Sequence, residues 1–229
     1  METLAILVAA GRGERLAADR PKAFVELAGE AMLLRAARAF EEADVVDGVV
    51  VVVPEAESVL TRTLLEPISK LTRIIPGGAT RQESVRAGLA AAPPDFRGVV
   101  LVHDAARPLV DAGLIEAVWR AARDHGAAVP LLPLVDTVKR VRDGVVVETL
   151  DRDELGAAQT PQGFRRELLE RAFAEAERSG AVLTDEAMAV ERLGFGVVVV
   201  PGTPRNRKLT TPADLEWAEH VLATGGEAR

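Results

Sequence analysis

Short apolar runs alternate along the chain with longer segments in which apolar residues recur every three or four positions. The short runs are nearly continuous and mostly rich in valine, which is typical of strands buried on both faces of a parallel sheet. They cover residues 4–8, 49–53, 99–102, 127–132 and 197–200. The helical segments cover residues 31–42, 80–91, 111–123, 165–178 and 213–217. This alternation predicts an α/β fold with right-handed crossovers.

Residues with capping chemistry stand where several of these helices are expected to begin. Thr80 is followed three positions later by Glu83, which is the spacing of a capping box. Asp111 directly precedes an apolar helical face, and Pro212 stands at a first helical position, where a backbone N–H has no helical partner in any case. These signals support the helix starts independently of the apolar spacing.

The segment at about 134–153 interrupts the alternation. Two β-branched runs flank Asp143 and Gly144, and Asp-Gly between such runs strongly indicates a hairpin. With this pair as the loop, Lys139 is expected opposite Glu148 as a favourable cross-strand pair. Because an isolated two-stranded ribbon is only marginally stable in water, we expect this arm to pack on a second subunit. The alternative is an antiparallel edge of the main sheet.

The bulk composition limits the kind of protein. The chain has 229 residues, of which 48% are hydrophobic, and we interpret it as a single domain over residues 1–229. A net charge of −7 argues against a nucleic-acid partner, since nucleic-acid binding needs a basic face. The absence of cysteine excludes disulfides and thiolate chemistry. No charged leader and no apolar run near the roughly 20 residues that span a bilayer occur, so we expect no membrane partner and a cytoplasmic location.

A glycine turn follows the first apolar run and carries the strongest functional signal. It reads Ala9-Ala10-Gly11-Arg12-Gly13-Glu14-Arg15-Leu16, with Pro21-Lys22 after it. Glycines at a strand end let backbone N–H groups approach phosphate oxygens closely, and Arg15 and Lys22 add two positive charges. The Walker pattern is absent, and Leu16 replaces the third glycine of the dinucleotide fingerprint. Packing alone would explain the glycines but not the spaced Arg15 and Lys22, and the pattern resembles that of nucleotidyltransferases.

A second motif, V-H-D-A-A-R-P, follows the third strand-like run. Asp104 stands just past the carboxyl end of that strand, where ligands bind in open α/β sheets. Its carboxylate can hold Mg²⁺ together with substrate phosphates, or it can simply cap a turn. Arg107 can fix the loop or meet a phosphate, and His103 is interpreted as a hydrogen-bonded structural residue.

Three weaker signals lie elsewhere. Gly77 and Gly78 before a helix can admit a nucleobase, with Ser84 in reach of the nucleotide, although Gly-Gly is common before helices. Short polar stretches at residues 159–162 and 183–187 precede helical segments, and N-capping is their alternative interpretation. The basic loop at residues 201–210 suggests an anionic ligand or, alternatively, a solvated surface loop.

Taken together, the chain resembles the 2-C-methyl-D-erythritol 4-phosphate cytidylyltransferases from about Leu4 to Leu215. The resemblance rests on A-A-G-x-G-x-R with P-K, G-G before R-x-x-S-V, V-H-D-A-A-R-P, the D-T hairpin, L-D-R, T-P-Q, T-D-E-A and N-x-K-x-T, in that order. It implies a mostly parallel, Rossmann-like nucleotidyltransferase sheet flanked by helices, with a protruding β-hairpin arm that builds a homodimer. It also implies CTP and methylerythritol phosphate as partners and Mg²⁺ as cofactor.

The resemblance further implies a role for each matching residue. Arg15 and Lys22 would be catalytic, acting on the triphosphate, and Asp104 would bind metal. Nucleotide contacts would come from Ala9, Ala10, Gly11, Gly13, Gly77, Gly78, Ser84, Asp104 and Ala105. Contacts to methylerythritol phosphate would come from Arg107, Thr137, Arg152, Thr160, Thr184 and Lys208, with Thr137 and Arg152 reaching the neighbouring subunit. Departures from the family pattern occur at Ala79, Arg205 and Arg207.

The implied reaction is attack of the acceptor's phosphate on the α-phosphorus of CTP, with loss of pyrophosphate. A phosphate monoester is mostly ionised at neutral pH, so no general base is needed, and no convincing His or Glu base stands in the motifs. A cytidylyltransferase for ribitol 5-phosphate shares much of the motif set and remains an alternative. A non-catalytic nucleotide-binding regulator is a second alternative, although Arg15, Lys22 and Asp104 are all present.

Overall fold

The computed structural model describes residues 1–11 and 21–225. Gly13 and Arg15 lie outside the described residues. The strands are β1 Thr3–Val8, β2 Glu26–Leu27, β3 Glu30–Ala31, β4 Gly48–Val53, β5 Leu71–Pro76, β6 Val99–Asp104, β7 Ala127–Pro133, β8 Lys139–Arg142, β9 Val145–Thr149, β10 Gly156–Ala158, β11 Gln162–Arg165 and β12 Val198–Pro201. The helices are α1 Met32–Glu42, α2 Ser58–Leu64, α3 Arg81–Ala90, α4 Ala112–His125, α5 Arg166–Arg178, α6 Glu186–Arg192 and α7 Pro212–Ala223.

A central sheet of eight strands organises the fold. Its order is β10-β7-β11-β6-β1-β4-β5, and the eighth strand, β12, also pairs with β7. Strand β1 runs parallel to β4 and β6, β4 runs parallel to β5, and β12 runs parallel to β7. Every residue of β4 and β6 is buried, which explains why their sequences are continuous apolar runs rather than alternating ones. The α/β class and the mostly parallel sheet predicted from the sequence are confirmed.

The two faces of the sheet are covered by different helices. On one face, Leu7 and Val51 belong to a buried cluster with Phe40 of α1 and Ile115 of α4. On the other face, alternate residues of the same strands pack with helices α3 and α5, in a cluster that includes Leu4, Ile6, Val50, Val85 and Phe173. This division follows from the two-residue period of a strand, which sends successive side chains to opposite faces.

Strand β11 is not predicted from the sequence, in which residues 159–162 form a polar stretch before a helical segment. It runs antiparallel between β6 and β7 and buries Phe164 completely. A Cβ at Gly163 would lie 2.8 Å from the Cβ of Ala122 in α4, so glycine is required for this helix to pack here. A strand of four residues with one large apolar side chain gives too little periodicity to be recognised.

The cap predictions are confirmed at all three helices. In α3, Thr80 Oγ1 accepts from Glu83 N at 3.1 Å while Glu83 Oε2 accepts from Thr80 N at 3.1 Å. Asp111 Oδ1 accepts from Leu114 N at 2.8 Å at the start of α4. Pro212 is the first residue of α7. Among the described residues, no helix has both the length and the apolar character that a membrane span requires.

Strands β8 and β9 form the predicted arm as a two-stranded sheet of their own, so the alternative of an edge of the main sheet is wrong. The predicted pair of Lys139 with Glu148 is also wrong. Lys139 lies opposite Thr149, whose Oγ1 accepts from Lys139 Nζ at 2.7 Å, and Arg140 forms the ion pair with Glu148. The register shifts between Arg140 and Val141, because one extra residue of β9 lies in the ladder as a bulge.

Candidate active site

The carboxyl ends of β1, β4 and β6 meet at one edge of the sheet. Val8 is in register with Asp104. Backbone hydrogen bonds between neighbouring strands continue for one residue beyond the strand ends. Ala9 N donates to Val52 O at 2.8 Å, and Ala105 N donates to Val8 O at 3.1 Å. A cavity of about 510 Å³ opens at this edge, at the position where open α/β sheets bind ligands.

Most of the predicted nucleotide residues line this cavity, which we call the main cavity. Its lining among the described residues is Val8, Ala9, Ala10, Gly11, Lys22, Ala23, Gly78, Ala79, Thr80, Arg81, Ser84, Asp104, Ala105, Ala106 and Lys208. Ala79, one of the departures from the family pattern, is thus a wall residue. The structure therefore gathers residues that are up to 200 positions apart around one space.

The Gly77-Gly78 turn is held by Ser84. Gly78 N donates to Ser84 Oγ at 3.1 Å, and Ser84 Oγ donates to Thr80 O at 3.0 Å. A Cβ at Gly77 would lie 2.5 Å from the Cβ of Ala10, so the two loops approach each other too closely for any side chain. Ser84 and Gly77 therefore shape the main cavity by fixing its walls.

Asp104 lies between two cations. Its Oδ1 accepts from Arg81 Nε at 3.1 Å, and its Oδ2 accepts from Lys208 Nζ at 2.6 Å. Burial alone would raise the pKa of the Asp104 carboxyl, but the charges of Arg81 and Lys208 outweigh it and hold that pKa well below its ordinary value. Asp104 is therefore a carboxylate at neutral pH.

Arg81 and Glu186 belong to this site, and sequence reasoning missed both as functional candidates. Arg81 Nη1 donates to Glu186 Oε1 at 2.6 Å and Nη2 donates to Oε2 at 3.0 Å. The Glu186 side chain is only 2% exposed. Both residues stand inside the quoted motifs R-x-x-S-V and T-D-E-A, but only the tertiary fold shows that they are partners.

His103 is linked to the backbone of Asp104 through the hydroxyl of Thr160. His103 Nε2 lies 3.1 Å from Arg107 O, which only accepts, so Nε2 carries the proton and Nδ1 accepts from Thr160 Oγ1 at 3.1 Å. Thr160 Oγ1 in turn accepts from Asp104 N at 3.1 Å. Complete burial lowers the pKa of His103 to about 4, so the ring is neutral. The interpretation of His103 as a structural residue is confirmed.

Arg107 ties the loop after β6 to two other segments. Its Nη1 donates to Asn206 O at 2.8 Å and its Nη2 donates to Ala158 O at 3.2 Å. It also lines a second cavity of about 400 Å³, which Lys208 borders too. Lys208 therefore lies between the main cavity and this second cavity, within reach of ligands in either. Arg205 is half-buried, and Arg207 pairs with Asp214 at 2.8 Å.

Five described residues of the predicted site line neither cavity of their own chain: Gly77, Thr137, Arg152, Thr160 and Thr184. Thr137 and Arg152 are exposed at the base of the arm, where Arg152 Nη1 donates to Val135 O. Thr184 is exposed before α6, and its Oγ1 contacts Met188 Sδ at 3.5 Å. In the described part of the chain, the residues predicted for the acceptor are thus divided between the core and the arm.

The geometry first defines a class. A cavity of this size, bounded by glycine loops and lysines at the carboxyl ends of parallel strands, suits a small phosphorylated ligand. This is the arrangement of a nucleotidyltransferase, the class that the glycine turn and Lys22 indicated.

Comparison with known proteins then shows the family. A family model described as IspD: 2-C-methyl-D-erythritol 4-phosphate cytidylyltransferase matches residues 3–224, and the chain belongs to that family. The resemblance predicted from the motifs is confirmed, and so is the assignment to the cytidylyltransferases.

Individual relatives agree over nearly the whole chain. The 2-C-methyl-D-erythritol 4-phosphate cytidylyltransferase of Symbiobacterium thermophilum is 47% identical over 218 residues, covering 95% of this chain and 91% of that protein. The enzyme of that name from Thermus thermophilus is 36% identical in sequence. Its crystal structure has a TM-score of 0.79, and the match covers 95% of this chain and 98% of that chain. The 4-diphosphocytidyl-2C-methyl-D-erythritol synthase of Anaerococcus prevotii has a TM-score of 0.87 at 27% identity, with coverage of 97% and 96%.

Proposed function

We propose that this chain transfers CMP from CTP to the phosphate of 2-C-methyl-D-erythritol 4-phosphate. The products are 4-diphosphocytidyl-2-C-methyl-D-erythritol and pyrophosphate. The observation that carries the proposal is the family match over residues 3–224, in a chain whose Lys22, Asp104 and Lys208 surround one cavity. A location in the cytoplasm and the lack of a nucleic-acid partner stay predictions.

The chemistry needs positioning more than acid–base catalysis. An oxygen of the acceptor's phosphate forms a bond to the α-phosphorus of CTP, and the bond from that phosphorus to the bridging oxygen of pyrophosphate breaks. Since a phosphate monoester is mostly dianionic at neutral pH, the nucleophile needs no base. Among the described residues that line the main cavity there is neither His nor Glu. The contribution left to the protein is to hold two anions together and neutralise their charge.

On the nucleotide side, Lys22 would stabilise the charge that develops on the triphosphate. The backbone from Ala9 to Gly11 lines the same cavity and supplies N–H groups of the kind that phosphate oxygens accept from. Gly77, Gly78 and Ser84 would hold the base and ribose through the turn they form, with Ala105 beside them. Arg15 and Gly13 keep their predicted roles, outside the described residues.

Mg²⁺ is part of the proposal, with Asp104 as its protein ligand. Among the described residues no group of three or more His, Cys, Asp or Glu side chains could hold a metal alone. Asp104 fits as a single hard carboxylate, since Mg²⁺ is commonly bound by one or two carboxylates together with substrate phosphates. When bound, the ion would neutralise part of the charge on the triphosphate. Lys208, which donates to Asp104 Oδ2, lines both cavities and would contact the acceptor.

On the acceptor side, Lys208 and Arg152 would hold the incoming phosphate, and Arg107 would keep the loop in place. Thr160 would act through Asp104, because its hydroxyl is engaged on both sides by His103 and by Asp104 N. Thr184 keeps its predicted contact to the acceptor.

The position of the arm residues supports a homodimer. Thr137 and Arg152 line neither cavity of their own chain in the described residues, and the arm exposes a row of valines. Val141, Val145, Val146 and Val147 are each more than half exposed, and a two-stranded ribbon with no surface to pack on is only marginally stable in water. We infer that the arm crosses to a second copy of the chain and delivers Thr137 and Arg152 to the acceptor side of its site.

The test is pyrophosphate release with CTP and Mg²⁺, comparing methylerythritol 4-phosphate with ribitol 5-phosphate as acceptors. We expect strong preference for methylerythritol 4-phosphate. A Lys22→Ala preparation purified in parallel controls for a contaminating enzyme. Preference for ribitol 5-phosphate would replace the acceptor and keep the chemistry. Silence with both acceptors, on folded protein that binds CTP, would contradict the proposed reaction.

A further inference from the structure

A fork of hydrogen bonds joins three segments that meet behind the main cavity. Arg81 is the first residue of α3, Asp104 is the last residue of β6 and Glu186 is the first residue of α6. Arg81 Nε donates to Asp104, while Nη1 and Nη2 donate to the two oxygens of Glu186. All three nitrogens of the guanidinium therefore have a carboxylate partner. Arg81 also lines the main cavity, but three of its five N–H donors are directed at these two carboxylates.

Glu186 is itself held in place by β11. Gln162 is 1% exposed and bridges both neighbours of Glu186. Its Nε2 donates to Asp185 Oδ2 at 2.8 Å, and its Oε1 accepts from Ala187 N at 3.0 Å. Burial raises the pKa of the Glu186 carboxyl, and the positive charge of Arg81 opposes that shift. Both oxygens accept from Arg81 in the geometry of a bidentate carboxylate–guanidinium pair. Such pairs combine charge with fixed geometry.

The two oxygens of Asp104 are held in unequal ways. Oδ1 faces the planar guanidinium of Arg81, which Glu186 holds at two points. Oδ2 faces the ammonium of Lys208, which lies at the end of a flexible four-carbon stem and whose side chain is 41% exposed. The rigid partner determines the orientation of the carboxylate, and the mobile partner can be exchanged for a ligand.

We propose that Arg81, held by the buried Glu186, is a positioning residue that fixes Oδ1 of Asp104 and thereby presents Oδ2 to the bound substrates. This inference rests on the proposed function, since it assigns Asp104 to the reacting complex. The same fork ties the nucleotide side of the site, through α3, to α6, which begins two residues after Thr184. Substitution of Glu186 is therefore expected to lower turnover, although Glu186 itself contacts no substrate.

The test is steady-state kinetics of Glu186→Gln, with turnover and both KM values measured separately. The amide keeps the shape of the side chain but points an N–H₂ group at an Arg81 donor, so the fork opens. We expect kcat to fall about 10- to 100-fold, the scale of a misplacement of about 1 Å at a reacting group. We expect both KM values to stay within about 3-fold, because the lost interaction acts in the transition state rather than in substrate binding.

A second variant separates geometry from charge. Arg81→Lys keeps the positive charge, and with it the neutralisation of Glu186, but it cannot make the three-point fork. Positioning predicts that Arg81→Lys loses as much turnover as Glu186→Gln. Turnover within about 3-fold of the unchanged protein in Arg81→Lys would show that charge alone suffices, and would overturn the proposal.

The matched control is a second Arg–Glu pair on the same helix. Arg86 of α3 donates from Nη2 to Glu177 Oε2 of α5 at 2.8 Å, and both side chains are exposed. Glu177→Gln and Arg86→Lys should leave kcat unchanged. Equal losses in the control pair would mean that any bridge from α3 to its neighbours matters, which would also overturn the proposal.

Folding is checked by CTP affinity measured calorimetrically and by the crystal structure of Glu186→Gln. Retained CTP affinity with lowered kcat is the expected result. The crystal structure should show Asp104 Oδ1 beyond hydrogen-bond distance of Arg81 Nε, and an unmoved carboxylate would contradict the proposal. If Glu186→Gln does not fold, Arg81→Lys and its control decide alone. If instead the unsubstituted protein is inactive with every acceptor, the proposed function is contradicted.

Discussion

Asp104 and Glu186 are buried and share Arg81 as a partner, whereas the arm formed by β8 and β9 has no buried residue along either strand. The Asp104 and Glu186 side chains are 10% and 2% exposed, and hydrogen bonds hold each carboxylate oxygen. The arm also carries an ion pair, between Arg140 and Glu148, but both of its members are about half exposed.

The difference shows where each region obtains its geometry. Inside the core, the low dielectric strengthens each pair, and an unpaired charge would cost much more than at the surface, so one arrangement is enforced. On the arm, water screens the ion pairs, and the exposed valines contribute no hydrophobic stabilisation. The core site is therefore preorganised by its own chain, whereas we propose that the arm becomes part of a site only against a partner subunit.

The largest expected effect is on the catalytic side of this comparison. Lys22→Ala should lower kcat by about 10²- to 10³-fold, the usual loss when one charge-stabilising donor is removed. The measurement is pyrophosphate release at saturating CTP and acceptor. Lys70→Ala is the control, because Lys70 donates to Ala43 O at 2.9 Å and lines neither cavity. Turnover of Lys22→Ala near that of the unchanged protein would remove Lys22 from the mechanism.

An intermediate effect is expected at Asp214, which holds the segment that carries Lys208. Its Oδ2 accepts from the backbone N and the Oγ1 of both Thr210 and Thr211 at 2.8–2.9 Å. Burial acts to raise its pKa, but these hydrogen bonds outweigh it and lower that pKa to about 2. The carboxylate form of Asp214 is therefore stabilised in the folded state relative to the unfolded state.

The sign of the pH dependence follows from that shift. Above an ordinary pKa of 3.8 the full stabilisation is present, and it is lost as the pH falls toward about 2. Asp214→Asn should lower the free energy of unfolding at pH 7 by about 2 kcal/mol, measured in urea, and the gap should narrow below about pH 4. Asp111→Asn is the matched control, because Asn caps a helix as well as Asp. A gap that stays constant down to pH 3 would contradict this account of Asp214.

The smallest expected effect is on the arm. Asp143 and Gly144 have φ values of +48° and +77°, and a Cβ at Gly144 would meet nothing within 4 Å. Gly144→Ala therefore costs only backbone strain, about 1 kcal/mol, which should raise the dimer dissociation constant about 5-fold in sedimentation equilibrium. Gly180→Ala is the control, because Gly180 has a φ of +64°, equally open space and a position outside the arm. Equal shifts in the dimer dissociation constant for both variants would contradict a role of the arm in association.

The sequence predicted those parts of the fold that depend on local pattern. Strands β4 and β6 are buried on both faces, so their valine runs were diagnostic, and Thr80 and Asp111 marked helix starts through contacts within three residues. Asp104 was predicted as a site residue for the same reason, since a polar residue at the end of an apolar run is visible without knowledge of the fold.

What the sequence did not predict depends on distant partners. Arg81 and Glu186 are 105 positions apart, and nothing in either motif indicates the other. The register of the arm depends on a bulge in β9, which the pattern of β-branched residues does not encode because every residue of the ribbon is exposed. Strand β11 owes its place to the sheet around it rather than to its own composition.

The central claim is that the buried core of one subunit and the exposed arm of another make one active site. It is tested most directly by mixing two inactive proteins, Lys22→Ala and Arg152→Ala, and isolating the heterodimer. If the arm crosses over, one of its two sites joins an intact core to an intact arm, and about half of the activity of the unchanged dimer returns. If each site is built by one chain, every site carries a defect, and a verified heterodimer that stays inactive would contradict the account.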